Sequence, residues 1–265
     1  MPHPAPPMDR PRRHKAFRTI SALVLREMAS TYGRSPGGYV WAILEPLAAI
    51  AVLSVVFSFA FKVPSLGTNF PIFFATGYLP FALYQDISQK TAKSIRFSRQ
   101  LLQYPAVKFT DAIFGRLFLS VLTQLTVYYF VIVGMHLAFD LNTVIQFESI
   151  ALSLVMAASF GLAVGSLNCY LNGIFPVWEQ VWAIVTRPLF LISGVILIYD
   201  VLPNALKAIL WYNPLMHMTG ISRAGYYPTY TAPYVSLTYY FGVTLAVGTL
   251  GFMLLYRHHK TIVDS

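Results

Sequence analysis

The feature that most constrains this chain is the recurrence of long apolar segments with few charges. About 20 predominantly apolar helical residues cross a bilayer core of about 30 Å. Segments of this kind occur at 39–61, 71–87, 113–139, 149–171, 177–199 and 235–256, and the second, interrupted by Pro80, is the weakest. Only 11% of the 265 residues are charged, against about 25% in soluble domains. The sequence therefore predicts an all-α integral membrane protein with six transmembrane helices.

The positions of Lys and Arg orient these segments. Basic residues cluster before the first segment, between the second and third, and after the sixth, whereas the opposite side carries only Lys62, Lys207 and Arg223. An excess of Lys and Arg marks the cytoplasmic side of a membrane, so we expect both termini in the cytoplasm. The net charge of +9 does not indicate nucleic-acid binding, because the basic residues flank the membrane segments and form no separate domain.

The amino-terminal region divides into two parts ahead of a membrane domain at 35–265. Residues 1–15 are rich in Pro and Arg and are expected to form a disordered cytosolic tail. Within 16–34, apolar residues such as Phe17 and Val24 gather on one side of a helical wheel, and Arg18 and Arg26 gather on the other. This pattern predicts an amphipathic helix in the membrane interface. A core-facing helix has the same pattern, but the chain offers no soluble core for it to face.

The cytosolic loop at 88–111 carries a basic set of four residues at helical spacing: Lys90, Lys93, Arg96 and Arg99. One interpretation is a solvated linker helix whose charges only follow the positive-inside rule. The other is a contact surface, either for a cytosolic protein or for the anionic head group of a substrate. The sequence leaves these interpretations open.

The outer segment at 201–233 is too apolar for a plain loop. It contains two short apolar runs, 205–212 and 215–221, separated by Asn213 and Pro214. Runs of this length are too short to span a bilayer, and irregular backbone at membrane depth must be buried in protein or line a wet cavity. We therefore expect a re-entrant helical pair before the last span, beside a transport pathway.

Aromatic residues, chiefly Trp211 and Tyr212, crowd this outer end of the chain. Such residues are enriched at membrane interfaces for general reasons, which favours an aromatic belt. Their faces also suit sugar rings, so a sugar-guiding exit is the alternative.

Three ionisable residues lie inside predicted spans: Glu45, Arg116 and Arg187. Charges at such positions are rare and mark functional sites. Glu45 could pair with Arg116 or Arg187 inside the bundle, or each side chain could extend to the cytosolic interface.

No catalytic, metal-binding or cofactor-binding pattern is found. The chain lacks a phosphate-binding G-x-x-x-x-G-K-[ST] loop, a G-x-S-x-G motif and an H-E-x-x-H motif. Its single cysteine, Cys169, excludes a disulfide framework and a Cys-based zinc site. We therefore expect a protein that is not an enzyme and binds no cofactor itself.

Four segments resemble the ABC-2-type permeases that export capsular polysaccharide: Gly37–Pro46 (GGYVWAILEP), Leu101–Val107 (LLQYPAV), Arg187–Gly194 (RPLFLISG) and Trp211–His217 (WYNPLMH). The resemblance extends over nearly the whole chain from about residue 15. It implies a multi-pass permease subunit in a Gram-negative inner membrane. Two copies would pair with two separately encoded ATPase subunits, which hold ATP and Mg²⁺.

The resemblance also implies a lipid-linked acidic polysaccharide as substrate, with periplasmic and outer-membrane export proteins as further partners. It places the 16–32 helix and the 88–111 loop on the side that faces the ATPase, and the two short outer runs near the channel exit. Two alternatives remain open. One is an exporter of O-antigen or teichoic acid, and the other is an integral-membrane enzyme of lipid-linked glycan synthesis. The latter would need clustered carboxylates or histidines, whereas the ten acidic residues are scattered.

Overall fold

The computed structural model describes residues 38–104, 107–139 and 145–264, together with the helical positions Ser21 and Val24. The predicted tail and most of the predicted interface helix lie outside these residues. Within the described ranges every regular element is helical. The α-helices are α1 (Gly38–Ala60), α2 (Phe70–Ala92), α3 (Ser94–Phe97), α4 (Arg99–Leu102), α5 (Phe109–Ala138), α6 (Phe147–Ile174), α7 (Trp178–Ile192), α8 (Asn204–Leu210), α9 (Pro214–Tyr226) and α10 (Leu237–Asp264).

Among the described residues, four helices are long and apolar enough to cross a membrane: α1, α5, α6 and α10. They coincide with the first, third, fourth and sixth predicted spans, and α10 continues beyond the predicted end to Asp264. The other two predicted spans have different forms. Helix α2 has 23 residues but carries Asp86 and Lys90 in its last turns, and α7 has only 15 residues. The six-span count therefore stays a prediction that depends on α2 and α7.

Helix α6 lies at the centre of the bundle and packs against α2, α9 and α10. Two glycines of α6 let the backbone of α2 approach closely. A Cβ atom added at Gly161 would lie 2.9 Å from the carbonyl oxygen of Tyr84, and one at Gly165 would lie 2.8 Å from that of Ser88. Small residues at such crossings are typical of helix packing in membranes, where close van der Waals contact drives association.

A proline breaks the hydrogen-bond ladder of α2 and creates a contact with α9. Because Pro80 has no N–H, it leaves the carbonyl oxygen of Thr76 without its helical donor. Thr76 is fully buried, so this oxygen has no access to water. The hydroxyl of Ser222 donates to it at 2.6 Å. The break in α2 thus becomes an attachment point for α9.

Helix α7 ends at Ile192, short of the predicted end of the fifth span at residue 199. Gly194 adopts a φ of 81°, which favours glycine and turns the chain out of the helix. Side chains from the α9 region complete this end. The amide of Asn213 donates to the carbonyl of Ile192 at 2.8 Å, and the hydroxyl of Thr219 donates to that of Ser193 at 2.9 Å.

Two short helices, α8 and α9, occupy the outer segment where two apolar runs were noted, with the break between them at residues 211–213. Ten of the 13 residues of α9 are buried. This burial in protein fulfils the condition for a short helix at membrane depth, although its re-entrant placement remains a prediction.

Large apolar side chains are exposed along α1 and α7. No residue of α7 is buried in the single chain. Those exposed on α1 include Trp41, Val52, Val56 and Phe59. An apolar surface of this kind needs lipid or another protein to cover it.

The close approach of α2 and α6 predicts the effect of Gly165→Ala. The added Cβ would meet the backbone oxygen of Ser88 at 2.8 Å, so the helices must separate, and overpacking of this kind costs about 1–3 kcal/mol. We expect a lower thermal unfolding midpoint for the purified protein in detergent. Gly134→Ala is the matched control, because a Cβ there meets no atom within 4 Å. Equal midpoints for the two variants would contradict the proposed packing.

Candidate functional site

A cavity of about 780 Å³ lies where α2 ends, α7 begins and α10 ends. We call it the basic cavity. Its charged lining residues are Lys93, Arg96, Arg99 and Glu179. Three of the four predicted basic residues therefore meet around one concave space.

The local chain geometry explains how these cations converge. The predicted single basic helix is interrupted, because α2 stops at Ala92 and two one-turn helices, α3 and α4, follow with Ser98 between them. Lys93 occupies the junction of α2 and α3, Arg96 lies on α3, and Arg99 begins α4. The interruptions bring these side chains around the cavity rather than along one straight face.

Glu179 of α7 connects the basic segment to the membrane helices. Its Oε1 lies 2.8 Å from Nζ of Lys93, and its Oε2 lies 3.5 Å from Nη1 of Arg96. The Glu179 and Lys93 side chains are 41% and 57% exposed, so solvent screens the attraction and each pair contributes little to stability. The contact can therefore be broken at low cost.

Lys90 lies outside the basic cavity. Its Nζ pairs with Asp86 at 3.0 Å, one helical turn earlier on α2. Its carbonyl oxygen accepts a hydrogen bond from Nη1 of Arg116 at 2.9 Å. The structure therefore separates Lys90 from the other three members of the predicted basic set.

The three predicted ion-pair residues lie in different surroundings. Arg116 is buried and its guanidinium lies 4.1 Å from the centre of the Phe97 ring. Glu45 and Arg187 are both exposed, on α1 and α7. Among the described residues of this single chain, no ion pair joins Glu45 to either arginine.

The opposite end of the bundle carries an aromatic cluster that consists of Trp211, Tyr212, His217, Tyr234 and Tyr239. Trp211 lies at its centre, with ring centroids 4.9 Å from Tyr239, 5.3 Å from Tyr212 and 5.4 Å from His217. The indole N–H of Trp211 donates to the carbonyl of Tyr234 at 3.0 Å. Tyr212 is 66% exposed. The side chain of Tyr212 therefore faces outward, whereas the side chain of Trp211 stabilises the turn that leads into α10.

Helix α10 connects the two sites. Tyr239 lies near its start, in the aromatic cluster, and Ile262 near its end lines the basic cavity. At a rise of 1.5 Å per residue, the helix separates these positions by about 35 Å, which is comparable to the thickness of a bilayer.

His217 is buried within the aromatic cluster in one defined protonation state. Its Nδ1 accepts a hydrogen bond from the backbone N–H of Ser236 at 3.1 Å, so Nε2 carries the proton and donates to the carbonyl of Trp211 at 2.7 Å. If Nδ1 were protonated, its N–H would face the backbone N–H of Ser236, and neither group could accept a hydrogen bond from the other. Burial lowers the pKa of His217, and the bond to Trp211 only partly opposes this shift.

Sequence reasoning missed two residues that join separate segments of the bundle, Glu179 at the basic cavity and Arg223 on α9. Arg223 of α9 is 1% exposed, and its Nη2 donates to the carbonyl of Val195 at 2.8 Å. Its guanidinium also lies 4.3 Å from the centre of the Phe73 ring. Burial lowers the pKa of Arg223 to about 10, so it stays charged at neutral pH. An arginine two residues beyond an outer apolar run was the available signal. For Glu179, the sequence signal was an acid at the start of a predicted span, on the side where the basic residues collect.

Within the described ranges, no group of three or more His, Cys, Asp or Glu side chains is placed to hold a metal ion. Cys169 lines the basic cavity but is buried. The geometry of the two sites suits binding and guiding of a ligand: cations around a cavity at one end, and aromatic faces at the other.

Comparison with known proteins gives consistent results. Residues 18–227 match the family described as ABC-2 type transporter. The chain is 29% identical to the polysialic acid transport protein KpsM of Escherichia coli, over 93% of this chain and 96% of that protein. It is 25% identical to the capsule polysaccharide export inner-membrane proteins CtrC of Neisseria meningitidis serogroup A and BexB of Haemophilus influenzae, over 92% of each chain.

The environment of His217 predicts a pH dependence of stability. In the unfolded chain a histidine titrates near pH 6.5, whereas the lowered pKa of His217 keeps it neutral in the folded state. The unfolded state therefore binds more protons on acidification, and stability falls as the pH drops through about 6.5. We expect the thermal midpoint to decrease between pH 7.5 and 5.5, and His217→Gln to flatten this slope. His259→Gln, at a half-buried position near the end of α10 and outside the aromatic cluster, is the control, and an unchanged slope in His217→Gln would contradict the assignment.

Proposed function

The chain belongs to the ABC-2 type transporter family, and from this premise we propose that it is the permease subunit of an ABC transporter that exports capsular polysaccharide. The observation that carries the proposal is the match along more than nine-tenths of the chain to proteins named for polysialic acid transport and capsule polysaccharide export. These relatives favour capsule over the O-antigen and teichoic-acid alternatives. The substrate is a lipid-linked acidic polysaccharide, and the membrane is the bacterial inner membrane.

We assign six spans to this permease, with α2 and α7 added to the four long apolar helices. The basic cavity faces the cytosol, because the Lys and Arg residues collect at that end. The aromatic cluster then faces the periplasm, and both termini are cytoplasmic. Helices α8 and α9 form the re-entrant pair, supported by the burial of α9 within the protein.

The energy comes from a separate ATPase subunit, which binds ATP and Mg²⁺. Two ATPase copies act on two copies of this chain, and closure of the ATPase pair pushes on the 88–111 segment and the interface helix. Lys90, Lys93, Arg96 and Arg99 attract the anionic head of the substrate at the cytosolic mouth. Trp211 and Tyr212 line the exit, where export proteins of the periplasm and outer membrane receive the polymer.

The second copy covers the exposed faces of α1 and α7. Glu45 and Arg187 lie on these two faces. Both helices begin at the cytosolic end, and at 1.5 Å per residue the two side chains lie about 11 and 14 Å along them. Their similar depth supports an ion pair that joins two copies rather than two helices of one chain.

Charge reversal tests this pair. We expect Glu45→Arg and Arg187→Glu each to weaken association of the two copies in detergent, because each places like charges together in a poorly solvated interface. The double variant restores an opposite-charge pair and should recover association, measured by size-exclusion chromatography with light scattering. Two defective single variants without recovery in the double variant would exclude a direct contact.

Deletion of the gene tests the proposed function. We expect polysaccharide to be synthesised but trapped in the cytoplasm, as detected by cell fractionation and immunoblotting. Complementation with the wild-type gene should restore surface polymer. In a second complementation, the gene encodes a variant in which Lys90, Lys93, Arg96 and Arg99 are all replaced by Gln. This variant should restore much less surface polymer than the wild type, although the ATPase still co-purifies with it. Polymer absent from every fraction would instead indicate an enzyme of glycan synthesis, and normal surface polymer would refute the export role.

A further inference from the structure

The basic cavity holds one acidic residue among three cations. Lys93, Arg96 and Arg99 contribute three positive charges and Glu179 contributes one negative charge, while the other lining residues are uncharged. The charged lining therefore sums to +2 at neutral pH. A concave site with this excess attracts a multiply charged anion more strongly than a monovalent one.

Glu179 occupies the position that an anionic ligand would take. One of its carboxylate oxygens contacts Lys93 at 2.8 Å, and the other contacts Arg96 at 3.5 Å. An incoming anion that uses the same two donors must first displace this carboxylate. Glu179 is thus placed as an internal competitor for the site.

Displacing the Glu179 carboxylate costs little free energy, because its contacts with Lys93 and Arg96 are exposed to solvent. Arg96 is 84% exposed and Lys93 is 57% exposed at the side chain, and exposed ion pairs are weak. A phosphate group offers up to two negative charges and three acceptor oxygens. It also matches the planar donor fork of arginine, so it can replace one carboxylate at these cations.

The cavity also has apolar lining residues, which suit an amphiphile. They are Ile95, Ile174, Ala183 and Ile262. Free phosphate would make no use of this apolar wall, whereas a lipid head group with the first part of its chain would cover it.

We propose that the basic cavity binds the phosphate-bearing head of an anionic lipid, and that Glu179 occupies the site in its absence and is displaced on binding. This inference rests on the proposed export function, for which it names the recognition chemistry of the substrate's lipid end. Glu179 then sets a threshold: an uncharged or zwitterionic head does not displace it, and an anionic phosphate-bearing head does.

The experiment measures binding of dodecyl phosphate to the purified chain in phosphatidylcholine nanodiscs by isothermal titration calorimetry. We expect Glu179→Gln to bind about three- to tenfold more tightly, because the competing carboxylate is removed from two weak pairs. Lys93→Gln should bind at least about threefold more weakly, because a ligand cation is lost. The Lys93→Gln/Glu179→Gln double variant should lie between the two.

A second Lys–acid pair provides a matched control. Lys90 and Asp86 form an ion pair of similar length, 3.0 Å, outside the cavity. We expect Asp86→Asn, the matched control, to leave the affinity unchanged within about twofold. Thermal midpoints of all variants establish that a change in affinity does not arise from unfolding.

Three results would overturn the inference. The first is an equal effect of Glu179→Gln and Asp86→Asn. The second is inorganic phosphate binding as tightly as dodecyl phosphate with the same response to Glu179→Gln, which assigns the site to a soluble anion. The third is no amphiphile binding but altered ATPase co-purification in Glu179→Gln, which assigns Glu179 to subunit docking. Each can occur while gene deletion still traps polymer in the cytoplasm, so failure of this inference is distinguishable from failure of the export role.

Discussion

The need to satisfy buried backbone carbonyls is the constraint on which this structure depends. Pro80 interrupts α2, and α7 stops before Gly194, so both helices leave carbonyl oxygens where water cannot reach them. Helix α9 supplies the missing donors: Ser222 to Thr76, Thr219 to Ser193 and Arg223 to Val195. An unpaired buried carbonyl would cost about 1–3 kcal/mol, so these bonds fix α9 between two broken helices.

The same bonds explain how α7 is held. No side chain of α7 is fully buried in the single chain, although Trp182, Leu189 and Phe190 pack against the core, so polar contacts at its two ends add to a limited packing of its sides. Its amino-terminal end is attached to the basic segment through Glu179. Its carboxyl-terminal end is attached to the α9 region through Asn213 and Thr219. Polar contacts therefore join one end of α7 to the basic cavity and the other end to the α9 region, and its exposed apolar side chains stay available for a partner or lipid.

Part of this arrangement could be predicted, and the rest depended on contacts between distant segments. The long apolar runs located α1, α5, α6 and α10, because about 20 apolar residues already define a span. The predicted end of α7 lies too far along the chain, because a positive φ at Gly194 cannot be inferred from an otherwise apolar sequence. Lys93, Arg96 and Arg99 were found from their charge. Glu179, which lies about 80 positions away from them, was missed because only the fold brings it to Lys93.

By itself, the sequence determined the all-helical character, the four longest apolar helices and the positions of the basic and aromatic residues, because local hydrophobicity and charge govern those properties. Only the tertiary structure decided which residues meet. It separated Lys90 from the cavity by pairing it with Asp86, placed Glu179 between two cations, and buried Arg223 against the turn that follows α7. Hydrogen bonds and ion pairs require contact within a few ångströms, and the packing of α6 against α2, α9 and α10 creates that proximity.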